Sequence, residues 1–305
     1  MLAKAAQVAG GFPREGDIMK LNMNRREFLA AFGTLAASAV LAGCGSSASS
    51  SSSSASSSSA DDKCAVATKK LIVGFDSAYP PYGYVGDDGA YTGFDLDLAT
   101  LVAGKQGWEL QLEPIDWDAK DTLMDSGAIN CIWNGFTVEG RENDYTFSKN
   151  YMINAQVVVV KKGSGISSFA GLSGKTVITQ VDSAAYNVLA GEEATQADLF
   201  ATFAQLETIS DYNTAFMQLE SGAVDAVACD LSIAAYQIAA KPDAYEQLTE
   251  NLSSEHYAVG FKKGDDDTAS AVNEALAALD SEGKVKELCE KYADQGISYT
   301  NWCLQ

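Results

Sequence analysis

Two segments of the chain share one pattern, and this repeat constrains the fold more than any other feature of the sequence. Residues 123–135 read LMDSGAINCIWNG, and residues 218–230 read QLESGAVDAVACD. In each segment a helical stretch ends at a glycine, Gly127 or Gly222, and an apolar strand follows. The repeat predicts two lobes of related construction. The alternative, that any helix–strand unit has this appearance, stays open at the level of sequence.

Short apolar runs alternate with helical runs along the rest of the chain, which is the signature of an α/β fold. Residues 70–76 (KLIVGFD) predict a buried strand, and residues 82–94 predict a hairpin with Asp-Asp-Gly at its turn. Residues 94–107 predict a helix that ends at a glycine. Near the C-terminus only helices are predicted, over residues 267–281 and 283–293.

Two similar segments predict where the chain crosses between the lobes. Residues 154–165 and 255–266 are each an apolar strand that runs into Lys-Lys-Gly. The two crossings would form a hinge. The predicted lobes are residues 69–157 with 257–305 (lobe 1) and residues 158–256 (lobe 2). Because ligands of open α/β sheets bind beyond the carboxyl ends of strands, we expect Gly135 and Asp230 to face each other across a cleft.

Residues 1–43 predict an export signal. The paired Arg25 and Arg26 precede a charge-free run that is too short for a membrane-spanning helix of about 20 residues. The segment resembles a lipoprotein signal, in which the thiol of Cys44 is acylated. The paired arginines also resemble a twin-arginine signal, although the ordinary secretory route remains an alternative. Residues 44–68 are rich in serine and predict a flexible tether. We therefore expect a cell-surface protein, anchored to the cell membrane by lipid.

The formal net charge of −20 limits the possible partners. Binding to a nucleic-acid backbone needs basic patches, so nucleic acid is excluded as the default partner. His256 is the only histidine and no Cys-x-x-Cys motif is present, which argues against a zinc site and a histidine-dependent nucleophile. We predict no metal and no cofactor.

Four of the six cysteines have an expected role in the folded part of the chain. Cys289 and Cys303 flank a short C-terminal segment and are the preferred disulfide. Cys131 and Cys229 lie in predicted buried strands and are expected to be packing residues.

After residue 43, Arg141 is the only arginine, whereas 15 lysines are present. A guanidinium is planar and holds a carboxylate by two parallel hydrogen bonds, while an ammonium acts as a point charge. Arg141 therefore predicts recognition of a carboxylate. The alternative is a surface ion pair with Glu139 or Glu142, a task that lysine performs equally well.

Five motifs along the chain resemble those of the family 3 extracellular solute-binding proteins, the amino-acid receptors of ATP-driven importers. In the order of the family, they are VGFDSAYPPYGY, GFDLDLA, DWD, NGFTVEGR…YTFS and LESGAVDAV..D. The resemblance implies a two-lobed, type II periplasmic-binding-protein-like fold in which two chain crossings form a hinge. It also implies a monomer that binds a free amino acid, closes around it, and presents it to the permease of an ABC importer.

The resemblance implies nine ligand-binding residues: Asp76, Tyr79, Trp117, Gly135, Thr137, Arg141, Ser183, Ala184 and Asp230. The guanidinium of Arg141 would bind the α-carboxylate, together with backbone N–H groups of residues 181–184. The α-ammonium would be bound by the carbonyl of Gly135, the hydroxyl of Thr137 and the carboxylate of Asp230. A zwitterion can enter a dry cleft only if both of its charges are paired, so these roles are physically consistent.

Simpler alternatives exist for several of these residues. Asp230 could cap the end of a strand, Asp76 could be a solvated acid in a turn, and Tyr79 and Trp117 could be core aromatics; Trp133 is expected to be a packing residue. The chain departs from the family at two places. The spacing from Thr137 to Arg141 is one residue shorter than in many relatives. The segment Val181-Asp182-Ser183-Ala184 stands where the family has a glycine and paired Ser/Thr. Asp182 is expected to point away from the ligand, because its charge would oppose a bound carboxylate.

The sequence therefore predicts a binding protein for a polar amino acid, either uncharged or basic, because no second arginine remains to pair another carboxylate. The first alternative is an enzyme on the same scaffold, such as a dehydratase, which would need a carboxylate with a raised pKa in the cleft. The second is a sensory or adhesive surface protein that binds a ligand without transporting it.

Overall fold

The computed structural model describes residues 68–304. The predicted export signal, the predicted acylation site at Cys44 and all of the predicted tether but its last residue lie outside the described residues. The strands are β1 (Lys70–Phe75), β2 (Ala78–Tyr79), β3 (Gly83–Val85), β4 (Tyr91–Thr92), β5 (Glu109–Pro114), β6 (Cys131–Ile132), β7 (Tyr145–Phe147), β8 (Met152–Lys161), β9 (Thr176–Gln180), β10 (Gln205–Ile209), β11 (Ala226–Asp230), β12 (Tyr245–Tyr257) and β13 (Gly260–Lys262). The α-helices are α1 (Phe94–Gln106), α2 (Lys120–Ser126), α3 (Ala184–Ala190), α4 (Ala197–Phe200), α5 (Tyr212–Ser221), α6 (Leu231–Ala240), α7 (Asp266–Ser281) and α8 (Lys284–Lys291). Within residues 68–304, no helix combines the length and the apolar character needed to span a membrane.

Two five-stranded sheets of the same plan organise the fold. Their strand orders are β5-β1-β6-β13-β7 and β10-β9-β11-β8-β12. In each sheet the first three strands are parallel and the last two add antiparallel pairings. Helices α1, α2, α7 and α8 accompany the first sheet, and helices α3, α5 and α6 pack on the second. We refer to each sheet with its helices as the first lobe and the second lobe.

The sequence repeat occupies matching places in the two sheets. Strand β6 is the central strand of the first sheet and β11 the central strand of the second. The helix before each strand ends at a glycine in the left-handed conformation, Gly127 (φ 76°) or Gly222 (φ 80°). Side chains other than glycine rarely adopt this conformation, so the two glycines are sequence signals of the same helix ending.

The chain passes between the sheets twice, and the two passages lie side by side. The first passage falls between Phe147 and Met152, and the second between Tyr257 and Gly260. Strands β8 and β12 pair antiparallel, with Met152 opposite Tyr257. All of β8 belongs to the second sheet, so the first passage comes several residues before the position predicted from the Lys-Lys-Gly pattern. The pattern marks the far end of β8 instead.

The local predictions agree with the structure at the other elements. Residues 82–94 contain the β3–β4 hairpin, which a third short strand, β2, extends. Helix α1 ends at Gly107 in the left-handed conformation. Cys131 and Cys229 are fully buried in β6 and β11, as predicted for packing residues.

The predicted disulfide between Cys289 and Cys303 is not formed, because both residues are free cysteines. Cys289 is buried on α8 within the core of the first lobe. Cys303 belongs to a C-terminal segment that lies beside the start of β8, where its backbone N–H donates to the carbonyl oxygen of Tyr151. Proximity along the chain placed the two cysteines in one region, but packing directs the Cys289 thiol into the core.

Candidate functional site

A short loop after β6 forms the first wall of the site. Gly135 in this loop has a φ of 58°, and its N–H donates to Oδ2 of Asp95 at 2.6 Å. A Cβ atom at this position would lie 3.1 Å from the ring of Tyr257 and 3.3 Å from that of Tyr79. Both the backbone conformation and the close aromatic neighbours therefore require glycine.

Asp95, at the start of α1, holds this loop from inside the first lobe. Its side chain is fully buried and also accepts a hydrogen bond of 2.8 Å from the hydroxyl of Tyr151. Burial raises the pKa of Asp95 to about 7, although the N–H of Gly135 and the hydroxyl of Tyr151 act in the opposite direction.

Arg141 lies in a turn at the edge of the same loop, with only 6% of its surface exposed. Its Nη1 donates to the carbonyl oxygen of Thr137 at 3.1 Å and its Nη2 to that of Asp182 at 3.4 Å. The guanidinium lies over the ring of Phe136, 4.9 Å from its centre. No aspartate or glutamate of residues 68–304 forms an ion pair with it.

The predicted alternative for Arg141, a surface ion pair, is not what the structure contains. The carboxylate of Glu139 contacts His256 instead, at 2.8 Å from Nδ1 and 2.9 Å from the backbone N. Arg141 is thus a buried cation whose hydrogen bonds within the described chain go to neutral carbonyl groups. A buried charge of this kind needs an anionic partner.

Two buried carboxylates stand on the second-lobe side. Oδ1 of Asp230, at the end of β11, accepts hydrogen bonds from the side-chain amides of Asn154 and Gln156 and from the hydroxyl of Tyr257. Asp230 immediately precedes α6, but its side chain makes no capping hydrogen bond to that helix. This excludes the alternative in which Asp230 serves only as a cap.

Glu255, on β12, is the second of these carboxylates, and the sequence analysis missed it. Its Oε1 accepts from the same two amides and from Oγ1 of Thr137 at 3.0 Å. Burial and the neighbouring charge of Asp230 raise the pKa of Glu255 to about 8. The sequence contains no signal for it: Glu255 shares a strand face with Tyr257, but the contact of Tyr257 with Asp230 that brings this face to the site is made only in the folded structure.

The turn between β9 and α3 brings the second lobe against the first. Ser183 caps α3 by accepting a hydrogen bond from the N–H of Tyr186 at 3.1 Å, and Ala184 is the first residue of this helix. The carbonyl oxygen of Asp182 accepts from Nε1 of Trp117 at 3.2 Å and from Arg141. Its carboxylate forms an ion pair with Lys120, a buried lysine that the sequence analysis also missed.

Asp76 lies at the other end of the site and joins the two lobes. Its carboxylate accepts a hydrogen bond from the N–H of Ala78 at 2.8 Å, and one from Nε2 of Gln180, on β9, at 2.7 Å. Burial raises the pKa of Asp76 above its ordinary value, and this effect outweighs the two hydrogen bonds. Asp76 is therefore a buried residue and not a solvated acid in a turn. Trp133, expected to pack, is fully buried.

These residues surround a small cavity between the lobes, which we call the inner cavity. In this closed arrangement its volume is about 10 Å³, which is about the space that one water molecule needs. Its lining consists of eight of the nine predicted ligand-binding residues, together with Asn134 and Gln180: Tyr79, Trp117, Asn134, Gly135, Thr137, Arg141, Gln180, Ser183, Ala184 and Asp230. The ninth predicted residue, Asp76, lies behind Gln180. Both lobes contribute to the lining, and direct hydrogen bonds cross between them, so the cleft is closed in this structure.

A sequence model of the bacterial extracellular solute-binding proteins, family 3, matches residues 71–295. The L-cystine-binding protein TcyJ of Escherichia coli (strain K12) is 30% identical over 225 residues, which cover 73% of this chain and 82% of that protein. A crystal structure of an ABC uptake transporter substrate-binding protein from Streptococcus pneumoniae with bound histidine has a TM-score of 0.70 and 34% identity. This match covers 75% of this chain and 94% of that one.

One further structural neighbour concerns the enzyme alternative. It is the ancestral amino acid-binding protein AncCDT-1, a precursor of cyclohexadienyl dehydratase, with a TM-score of 0.65 and 28% identity. The match covers 73% of this chain and 95% of that one. This neighbour is itself an amino acid-binding protein. The match over most of the described residues confirms the predicted two-lobed fold. The chain therefore belongs to the bacterial extracellular solute-binding proteins of family 3, and its role is that of a substrate-binding protein.

Proposed function

We propose that the protein binds a free α-amino acid with an uncharged polar or basic side chain in the inner cavity, and delivers it to the permease of an ABC importer. The observation that carries the proposal is the state of Arg141. It is the only guanidinium of residues 68–304, it is buried, and no carboxylate within that range pairs with it. A ligand carboxylate supplies the missing negative charge.

The carboxylate end of the ligand would lie against Arg141. Two of the five N–H donors of a guanidinium account for its bonds to Thr137 and Asp182, which leaves donors for a bidentate contact. Ser183 and Ala184 line the same cavity from the second lobe, and their backbone N–H groups would donate to the carboxylate from that side. Donors from both lobes would then grip one carboxylate, which favours the closed arrangement of the lobes.

The ammonium end would lie against Asp230. No lysine, arginine or histidine of the described chain forms an ion pair with this buried carboxylate. Gly135 and Thr137 line the same cavity, and the carbonyl of the one and the hydroxyl of the other would supply further acceptors. The lining therefore contains one buried acid and one buried cation, the two charges with which a zwitterion pairs.

The preference for an uncharged polar or basic side chain rests on the charges of the remaining lining. The described chain has no second arginine, so a second ligand carboxylate would be buried without a bidentate partner. At the far end, Gln180 donates to Asp76 and to the carbonyl oxygen of Ser210, so its side-chain oxygen would remain as an acceptor for a ligand amide or cation. The structural neighbour from Streptococcus pneumoniae contains bound histidine, an amino acid with a basic side chain.

Because the inner cavity of the closed structure is smaller than an amino acid, the lobes would first separate by bending at the two adjacent passages between them, and would then close around the ligand. The protein would act outside the cytoplasm, held at the membrane by a lipid on Cys44 and free to reach its permease on the tether. The sequence pattern of residues 1–68 supports this placement, and the family consists of extracellular proteins.

One observation favours a second candidate, an enzyme of the dehydratase kind. Glu255 contacts Thr137 at the wall of the inner cavity, and its raised pKa of about 8 suits a general acid. Mass spectrometry of each bound amino acid after prolonged incubation tests this candidate. Recovery of the unchanged amino acid supports binding without turnover.

The test of the main proposal begins with a thermal-shift screen of the twenty L-amino acids and L-cystine, followed by calorimetry on Arg141→Lys and Arg141→Ala. Removing one partner of a buried ion pair costs about 3–5 kcal/mol, which weakens binding by roughly a hundredfold to several thousandfold. Lys241→Ala, which removes a surface ion pair with Glu220, is the control and should keep the wild-type affinity. A loss below about threefold in both Arg141 variants would contradict the proposal.

A further inference from the structure

Asp230 and Glu255 form a pair of carboxylates that share their hydrogen-bond donors. Nδ2 of Asn154 lies 3.0 Å from Oδ1 of Asp230 and 2.7 Å from Oε1 of Glu255. Nε2 of Gln156 lies 2.7 Å and 2.8 Å from the same two oxygens. Each of the two amide nitrogens thus contacts both carboxylates, so the carboxylates lie close together.

The surroundings of this pair contain no compensating charge. Only 4% of Asp230 and 2% of Glu255 is exposed. Their remaining donors are the hydroxyl groups of Tyr257 and Thr137, which are neutral. Within residues 68–304 neither carboxylate forms an ion pair with a basic side chain. Two like charges in a buried site repel each other and are poorly solvated, so the pair retains a proton more readily than two exposed acids do.

We propose that Glu255 is a further residue of the ligand site, and that the Asp230–Glu255 pair holds one proton in the unliganded protein and releases it to solvent when the ammonium group of an amino acid binds beside Asp230. This inference rests on the proposed function. The ammonium brings the positive charge that the proton otherwise supplies. Once it is bound, both carboxylates can be ionised without leaving a net charge of −2 in the site.

The direction of the pH dependence follows from this exchange. The unliganded protein binds more protons than the complex, so the affinity for the amino acid rises as the pH rises. Burial, with the charge of Asp230, raises the pKa of Glu255 to about 8. Below that pH, release of one full proton makes the dissociation constant fall by up to about tenfold per pH unit.

Other titratable groups around Glu255 have to be separated from this effect. Burial raises the pKa values of Tyr79 and Tyr257 well above the ordinary value, so both stay neutral in the range of interest. Arg141 is a further charged group in the lining of the inner cavity. The acids Glu142, Glu192 and Glu193 line a wider outer cavity that Glu255 also borders.

His256, next to Glu255 along β12, is the group most able to imitate the effect. Histidine is the side chain whose charge ordinarily changes between pH 5 and 8. The ring of His256 is 42% exposed and contacts the carboxylate of Glu139. The variant His256→Gln removes the imidazole and leaves both carboxylates of the Asp230–Glu255 pair in the chain.

The experiment measures the protons released on binding. The probes are the twenty L-amino acids and L-cystine, screened by thermal shift; each probe that binds is then titrated calorimetrically at pH 6 to 8 in phosphate and in Tris buffer. The difference between the two binding enthalpies gives the number of protons released. We expect release of at least about half a proton at pH 7 for the wild type and for His256→Gln.

Glu255→Gln should abolish this release, and comparison with the wild type cancels any titration of the amino acid itself. Glu250→Gln, the same substitution at an exposed position of β12, should keep it. Release below about 0.2 proton in the wild type, or undiminished release in folded Glu255→Gln, overturns the inference. If Glu255→Gln does not fold, the wild type and His256→Gln decide alone. Absence of binding by every probe overturns the proposed function as well, whereas binding without proton release overturns only the inference.

Discussion

The ion pair between Lys120 and Asp182 crosses the cleft, and we predict that removing its two members one at a time has unequal effects on ligand affinity. Lys120 begins α2 in the first lobe, and Asp182 lies in the turn that precedes α3 in the second. The side chain of Lys120 is 2% exposed, whereas that of Asp182 is 41% exposed. The two partners therefore differ in how well water can replace the lost contact.

Asp182→Asn leaves an ammonium group buried in the closed cleft. Its remaining neighbours are Oδ2 of Asp121 at 4.0 Å and the ring of Trp117 at 5.4 Å. Removing one partner of a fully buried pair costs about 3–5 kcal/mol. Because Asp121 stays in place and Asp182 is partly exposed, we expect about 2 kcal/mol, or roughly a thirtyfold loss of affinity.

Lys120→Met leaves the Asp182 carboxylate, which is already in contact with water. The loss then approaches that of a surface ion pair, about 0–1 kcal/mol, which is at most about fivefold in affinity. The methionine fills most of the buried space of the lysine stem. Asparagine also suits position 182, where the backbone φ is 54°, because it tolerates the left-handed conformation better than most residues.

The assay is calorimetric titration of both variants and of the double variant with the amino acid that gives the largest thermal shift. Lys105→Met is the matched control, because Lys105 pairs with Glu282 at 2.6 Å within the first lobe and should not influence closure. Small-angle scattering without ligand should show a more open average shape for Asp182→Asn. Equal losses in the two variants, or a loss below about threefold in Asp182→Asn, would refute the reasoning.

Two further predictions concern the loop after β6 and the acid that holds it. Gly135→Ala should weaken ligand binding by at least about tenfold, because a methyl group collides with the ring of Tyr257 and the φ of 58° is strained for alanine; calorimetry measures the loss. Because of Asp95, the free energy of unfolding should fall as the pH rises from about 4 to 7. The folded protein raises its pKa to about 7 while the unfolded chain loses the proton near pH 4, so the stabilisation is complete below pH 4 and lost as the pH approaches 7. Urea denaturation of the wild type and Asp95→Asn at pH 5 and 7.5 tests this.

Each of these predictions has a control with the same substitution. Gly127→Ala introduces a similar backbone strain, at φ 76°, where nothing lies within 4 Å of the added methyl, so it should reduce stability without altering affinity. Asp243→Asn changes an exposed acid and should keep the wild-type pH dependence. Equal losses of affinity in Gly135→Ala and Gly127→Ala, or an unchanged pH dependence in Asp95→Asn, would contradict the explanations given.

The features that the sequence determined by itself are those set by neighbouring residues. Helices α1, α2 and α5 end at glycines because only glycine enters the left-handed conformation without strain. The repeat of a helix, a glycine and an apolar strand predicted two sheets of equal plan, with β6 and β11 at their centres. Arg141 was recognisable because it is the only arginine after residue 43, beside 15 lysines, and a guanidinium differs in its chemistry from an ammonium.

The tertiary structure alone decided which polar and charged groups meet across long stretches of chain. Thr137 and Glu255 are 118 residues apart, and Lys120 and Asp182 are 62 residues apart. Periodicity and composition report on the local chain, and neither contains the alignment of one lobe with the other. For the same reason the sequence suggested a disulfide at Cys289, although packing turns that thiol into the core. The sequence thus determined the helices and strands and singled out Arg141. The packing of the two lobes against each other determined which buried charges lack a partner within the described chain.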